Sequence, residues 1–302
     1  MHFLPRLALL SIAALMATAS FAQSGDTNTI SESEQLKIAA LEALISAPPD
    51  RALPLVQKVL SSNNSDEVKT RALFILSQID LPEAQALLLE TANSGSGEFR
   101  LEAIRMIGIG GDPDALAGLA DIYSGGDIDV REGVLHAYLI ADEATAVYEI
   151  ASSATTDEEF ESAVSILGAM GATEELRQLK DHEGNTESLI HAYAISDDFE
   201  SLREIALDSS SPERQKQAIH GLGIVGGDEV NATLVEIYQG TESAEIKDAA
   251  LHGMMVADYD QGLLELYRSS EDLGEKRDLL RMLVMMDSDS AFEVIDAALD
   301  SD

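Results

Sequence analysis

Four of the five histidines beyond residue 22, namely His136, His191, His220 and His252, stand at equivalent places in a recurring apolar pattern. Three of them follow a carboxylate by four residues: Glu132 before His136, Glu187 before His191 and Asp248 before His252, while Lys216 precedes His220. Residues four apart on a helix share one face, so each rung would set an imidazole beside a carboxylate. Such pairs suit metal ligation, proton transfer, or a binding contact whose charge responds to pH. Arg105 and Arg281 hold the same place in the pattern on either side of the histidines.

Distances limit the metal chemistry. Packed helices lie about 8–10 Å apart, whereas zinc–nitrogen bonds are about 2 Å long. One ion cannot bridge neighbouring rungs, and each rung offers at most two ligands. The zinc-protease pattern HExxH and the nucleophile elbow GxSxG are absent. Residues Gly221 to Gly226 read GLGIVG, a literal dinucleotide-binding match. No strand precedes them and they fall toward the end of a helix, so the glycines are read as permitting close helix packing. No metal site, catalytic residue or cofactor is expected.

The elements that position these residues follow from the pattern itself: a small or branched pair, one variable residue, then two more apolar positions. The variable residue, taken as a marker, is Glu42, Phe74, Arg105, His136, Ser165, His191, His220, His252 and Arg281, at steps of 32, 31, 31, 29, 26, 29, 32 and 29. Repetition at this length predicts stacked two-helix units that bury their apolar faces only against neighbours. Around Arg105, Phe99 to Ile109 reads as one helix, Gly110 to Pro113 as a turn, and Ala115 to Tyr123 as the next helix. Around His220 the turn is Gly226, Gly227 and Asp228. Positions two before and two after each marker, such as Ala103 and Ile107 or Ala218 and Leu222, lie on the opposite side of the helix and form the core. The marker therefore faces away from it. Tyr123, Tyr238 and Tyr267 close the second helices and are expected to fill space between units.

Segments such as Asp129-Val130-Arg131 before a helix and Ala218-Ile219-His220-Gly221-Leu222-Gly223 within one resemble HEAT repeats, most closely the short bacterial type also found in phycobilin lyases. The resemblance covers Leu36 to Asp302 and implies an all-α, right-handed solenoid of about nine two-helix repeats, with the marker helices lining the inner curve. It also implies a surface that binds other molecules more often than it catalyses. Deoxyhypusine hydroxylases, which are enzymes with HEAT-like repeats, bind iron through His-Glu dipeptides. Here Ala follows His136 and His191, Gly follows His220 and His252, and His182-Glu183 stands alone in a polar stretch. The step of 26 from Ser165 to His191 predicts a shortened helix and a local change of curvature.

Residues 1–22 read as a secretory signal peptide: Arg6, an apolar run from Leu7 to Met16, then small residues to Ala22. Residues 23–35 read as a flexible polar leader, and 36–302 as one repeat array. With no cysteine, neither disulfides nor a lipidated N-terminal cysteine is available. The formal charge is −36, and removing Arg6 with the signal gives −37. This excludes a nucleic-acid partner, because phosphate binding depends on Lys and Arg. Basic partners, divalent cations or simple solubility remain. These readings together describe an exported, periplasmic or secreted monomer without membrane insertion. It would bind a protein or peptide, a basic one included, along its concave face through Arg105, Glu132, His136, Glu187, His191, His220, Asp248, His252 and Arg281. Two other readings of the row stay open: a metal-binding protein or enzyme using the His and carboxylate rungs, and a solvated polar row without a ligand.

Overall fold

Local signals set the ends of each helix in the computed structural model, which describes residues 31–182 and 186–299. The segment read as a signal peptide lies outside them. The first helix, α1 (Glu32–Ala43), begins at a capping box. Ser31 N donates to Glu34 Oε2 at 3.1 Å while Ser31 Oγ accepts from Glu34 N at 3.3 Å. The fold thus starts within the segment expected to be leader up to Gln35. Its last polar residues are a helix cap and first turn, which apolar periodicity does not register.

Eighteen α-helices and no strand are present among the described residues. The markers occupy α1, α3 (Asp66–Ser77), α5 (Gly97–Gly110), α7 (Ile128–Ala141), α9 (Asp157–Met170), α11 (Thr186–Ile195), α13 (Pro212–Val225), α15 (Ala244–Val256) and α17 (Leu273–Met285). Between and after them run α2 (Pro49–Leu60), α4 (Pro82–Ser94), α6 (Pro113–Ser124), α8 (Ala144–Ser152), α10 (Thr173–Gln178), α12 (Phe199–Leu207), α14 (Asp228–Gly240), α16 (Asp260–Ser269) and α18 (Asp289–Leu299). The chain is an all-α solenoid in two layers, with a core made by both. Around Arg105, the residues Ala103, Ile104, Met106 and Ile107 are all buried, as the pattern requires.

Each marker helix from α5 to α17 ends at a left-handed residue six positions past its marker. These are Gly111, Asp142, Gly171, Asp197, Gly226, Asp258 and Asp287, with φ between 54° and 68°. After Asp142, Gly171, Asp197, Asp258 and Asp287 the next amide reaches back to close the helix, as in Tyr259 N to Met254 O at 2.8 Å and Asp198 N to Tyr193 O at 2.8 Å. This turn sends the chain into the other layer. The more extensive antiparallel packing, however, is between a second helix and the marker helix after it, α4 with α5 and α12 with α13 for example, the short α10 being the exception. The packed hairpin is therefore out of phase with the units drawn from the turn signals, and α1 and α18 stand as single helices at the two ends.

Three pairs of successive marker helices, α5 with α7, α9 with α11 and α13 with α15, touch through small residues three past one marker and one past the next. A Cβ placed on Gly108 would lie 2.6 Å from Ala137 O, one on Gly168 3.1 Å from Ala192 Cα, and one on Gly223 2.8 Å from Gly253 O. Packing within the marker layer is also more extensive than within the second layer. Closer packing of this kind is what the layer lining an inner curve would show. GLGIVG is a packing motif here: Gly221 and Gly223 are buried inside α13.

The short step after Ser165 gives α10, only six residues long, in line with the shortened helix expected there. A buried carboxylate secures this irregular unit. Asp198 accepts from Arg177 Nε at 2.8 Å and Nη2 at 2.6 Å, and from Ser201 Oγ at 2.7 Å. The tyrosines pack between units and carry a cation from the following marker helix over their rings: Arg131 over Tyr123, Lys247 over Tyr238 and Lys276 over Tyr267, at 5.6, 5.2 and 5.3 Å.

Two predictions follow from this packing. Gly108→Ala forces backbone apart at Ala137 and should cost about 1–3 kcal/mol in urea unfolding. Gly240→Ala, with nothing within 4 Å of the added carbon, should cost nothing measurable. Burial alone would raise the Asp198 carboxyl, but the bonds from Arg177 and Ser201 outweigh it and hold the group below its ordinary value. A depressed carboxyl stabilises the fold above its unfolded value of about 3.9 and ceases to do so as pH falls through the folded one. Asp198→Asn should therefore destabilise by about 2 kcal/mol at pH 7. That deficit should stay constant down to about pH 5 and narrow below about pH 4.

Candidate functional site

Eight of the nine markers, Glu42, Arg105, His136, Ser165, His191, His220, His252 and Arg281, are exposed, and Phe74 is half-buried. From α3 to α17 the positions two before and two after the marker are in the core, so the markers form a row across one layer. Their surroundings divide that row into three grooves. His191, His220 and Glu187 line a groove of about 890 Å³ formed by α9, α11 and α13. Arg105, His136 and Glu132 line one of about 500 Å³ between α5 and α7. Asp248 and Arg281 line a third of about 630 Å³ towards α17. His252 is exposed on α15 but lines none of these three grooves.

At two rungs the imidazole lies nearer to a backbone carbonyl than to the carboxylate expected beside it. His136 Nδ1 lies 2.8 Å from the backbone oxygen of Glu132, and His252 Nδ1 is 3.2 Å from that of Asp248. The Asp248 carboxylate is farther, at 3.7 Å. Helical side chains lean back over the preceding turn, which brings the ring to the carbonyl before the longer-range carboxylate. At the third rung, Lys216 turns away from His220 to reach Glu245 on α15 at 3.2 Å. Among the described residues, no three His, Asp or Glu side chains gather into a group able to hold a metal ion.

The two arginines are engaged on their own helices. Arg105 donates Nε and Nη2 to Glu102 at 2.8 and 2.6 Å, a fork that raises the guanidinium above its usual value. Arg281 Nη1 lies 3.2 Å from Asp278. Neither end of the row is thus an uncompensated positive charge. The face offers imidazoles, shallow grooves and paired arginines, an arrangement suited to recognition.

One row escaped the sequence reading, which stopped at the marker. Four residues further along the same helical face stand Ile109, Ile140, Ile195, Ile224, Val256 and Met285, all exposed to solvent. The signal was present in the same register, as an apolar residue that the core positions do not require.

A family model for HEAT repeats matches residues 53–139, from within α2 to within α7. The same alternation of marker helix and second helix continues beyond them to α17. Among solved structures it is similar to the complex of CpcE and CpcF of phycocyanin lyase from Nostoc, at 15% identity over 89% of this chain and 100% of that one, with a TM-score of 0.35. It is also similar to human deoxyhypusine hydroxylase in complex with glycerol, at 18% identity over 89% and 92% of the two chains, with a TM-score of 0.32. No curated protein matches by sequence.

Because the histidines point away from the core, replacing His191, His220 and His252 together by Ala should leave helicity and melting temperature nearly unchanged. Circular dichroism with thermal melting checks this, and a loss of more than about 2 kcal/mol would place the row in a structural role.

Proposed function

We propose that this protein is an exported, non-catalytic, monomeric scaffold that binds a protein or peptide along the concave face of its HEAT solenoid. The observation that carries this reading is the marker row itself. Exposed residues recur on eight of the nine marker helices, above open grooves, while from α5 to α15 the residues flanking them are committed to the core. No helix among the described residues is long and apolar enough to cross a membrane. The acidic balance favours partners with positive charge over nucleic acid. The signal-peptide pattern of residues 1–22 supports a periplasmic or secreted location, where the mature chain would begin near Gln23.

A photoactivatable cross-linking residue placed at His191 or His220, and separately at an exposed site on a second helix such as Leu55, tests the binding reading. Capture of one defined partner from the inner positions alone is the expected result; equal capture from Leu55, or none from the inner face, would overturn it. Metal analysis of the purified protein, with zinc titration, tests the catalytic alternative. Stoichiometric, tightly held metal would replace the scaffold reading with a metal-dependent one. Mass measurement of the exported chain should show loss of residues 1–22.

A further inference from the structure

The inner face of the solenoid carries more than the marker row. Its most unusual feature is the line of exposed aliphatic side chains four residues past the markers, from Ile109 at 37% accessible through Ile140, Ile195, Ile224 and Val256 at 46–49% to Met285 at 74%. The unit of Ser165 has Ala169 there instead. Scattered exposed apolar residues are ordinary on a soluble protein, but their recurrence at one structural position on six of nine marker helices is the mark of a surface that is covered in use.

The opposite edge of the same face is acidic. Seven residues before the markers stand Glu67, Glu98, Asp129, Glu158, Glu213 and Glu245, all exposed. At about 100° per residue, positions seven before and four after a marker both fall within about 40° of it, so the two lines flank the histidines on one surface. Eleven residues of helical rise separate them by about 16 Å. Among the described residues the acidic line has a single ion pair, Lys216 with Glu245. The groove is therefore graded across its width: anionic at one edge, imidazole along the floor, aliphatic at the other edge.

We infer that this groove takes a cationic amphipathic α-helix of a partner protein, laid along the solenoid with its Lys or Arg edge on the acidic line and its aliphatic edge on the line from Ile109 to Met285. This rests on the concave-face binding proposed above and specifies the partner's chemistry. A helix with its side chains is about 10–12 Å wide, which fits between lines about 16 Å apart once lysines extend to the carboxylates. The rung spacing of about 8–10 Å is close to two turns of such a helix, about 10.8 Å. Aliphatic residues of the partner at i, i+7 and i+14 then meet successive rungs, and cations with the same repeat meet successive carboxylates. A second copy of this chain does not satisfy the pattern, since it would bring another strongly acidic surface to the acidic edge.

The test uses a fluorescent peptide of about 21 residues, long enough for three rungs, with Leu at i, i+7 and i+14 on one edge and Lys on the other. Its comparators are a scrambled isomer of identical composition and vesicles of zwitterionic or anionic phospholipid. Binding to the full mature chain is read by anisotropy. The ordered peptide should bind at least about tenfold more tightly than the scrambled one. Ile195→Asp together with Ile224→Asp should weaken it by at least about tenfold, while Leu55→Asp on the outer layer leaves it unchanged. Circular dichroism of each variant confirms that these exposed substitutions leave the fold intact. Equal binding of the two peptides, equal effects of inner and outer variants, or binding to vesicles with none to the ordered peptide would each overturn the inference. Failure here with partner capture from His191 or His220 retained would reject the helical, cationic partner alone. Loss of both would reject concave-face binding as a whole.

Discussion

The structure depends on how closely its marker helices approach one another. Gly108 against Ala137, Gly168 against Ala192, and Gly223 against Gly253 bring backbone to within a distance that leaves no room for a side chain. The second layer has no such run of small contacts, and it fills its gaps with larger groups such as Tyr123, Tyr238 and Tyr267 under their covering cations. Small residues on one side of the stack and large ones on the other make a wedge, and repeated wedges make a curve. The same contacts set the rung spacing, which decides whether neighbouring markers act as separate points or as a continuous surface.

That dependence explains which parts of the fold were legible from the chain. The core positions around Arg105 and His220 follow from helical period alone, and each is where the pattern places it. The turns were legible through Gly111 and Gly226, but the same left-handed position is filled by aspartate at Asp142, Asp197, Asp258 and Asp287. Aspartate tolerates that conformation less well than glycine and signals it less clearly. Which neighbour each helix packs against most was not legible, because a helix in a two-layer stack offers apolar surface to the helix before and the helix after. The start of α1 was missed for a different reason. Its cap, Ser31 with Glu34, is polar, and hydrogen bonds rather than apolar period begin the helix there.

The functional face was legible in position but not in content. Marker orientation could be derived from angles, and the exposed row is where those angles put it. The partners of each histidine could not, since sequence spacing gives equal weight to the carboxylate of Asp248 and to its carbonyl, and the ring takes the nearer one. The ends of the row looked cationic because Arg105 and Arg281 were read without Glu102 and Asp278, three residues away on the same helices. Pair spacing at i, i+3 was as available as i, i+4, and it neutralised both ends.

The two edges of the groove do not speak equally for binding. Acidic residues such as Glu98, Asp129, Glu158, Glu213 and Glu245 lie in the first turns of their helices. There the helix dipole favours negative charge whether or not anything binds. They would be present in a solenoid with no partner. The aliphatic line has no comparable reason to exist, because Ile140, Ile195 and Ile224 keep about half of their surface in water and a polar residue at each would satisfy the fold equally well. It also stands near the C-terminal ends of the helices, where the dipole favours cations over apolar groups. A row that folding does not require, repeated across most of the marker layer, is explained by what covers it. The carboxylates opposite then decide the charge of the molecule that can do so.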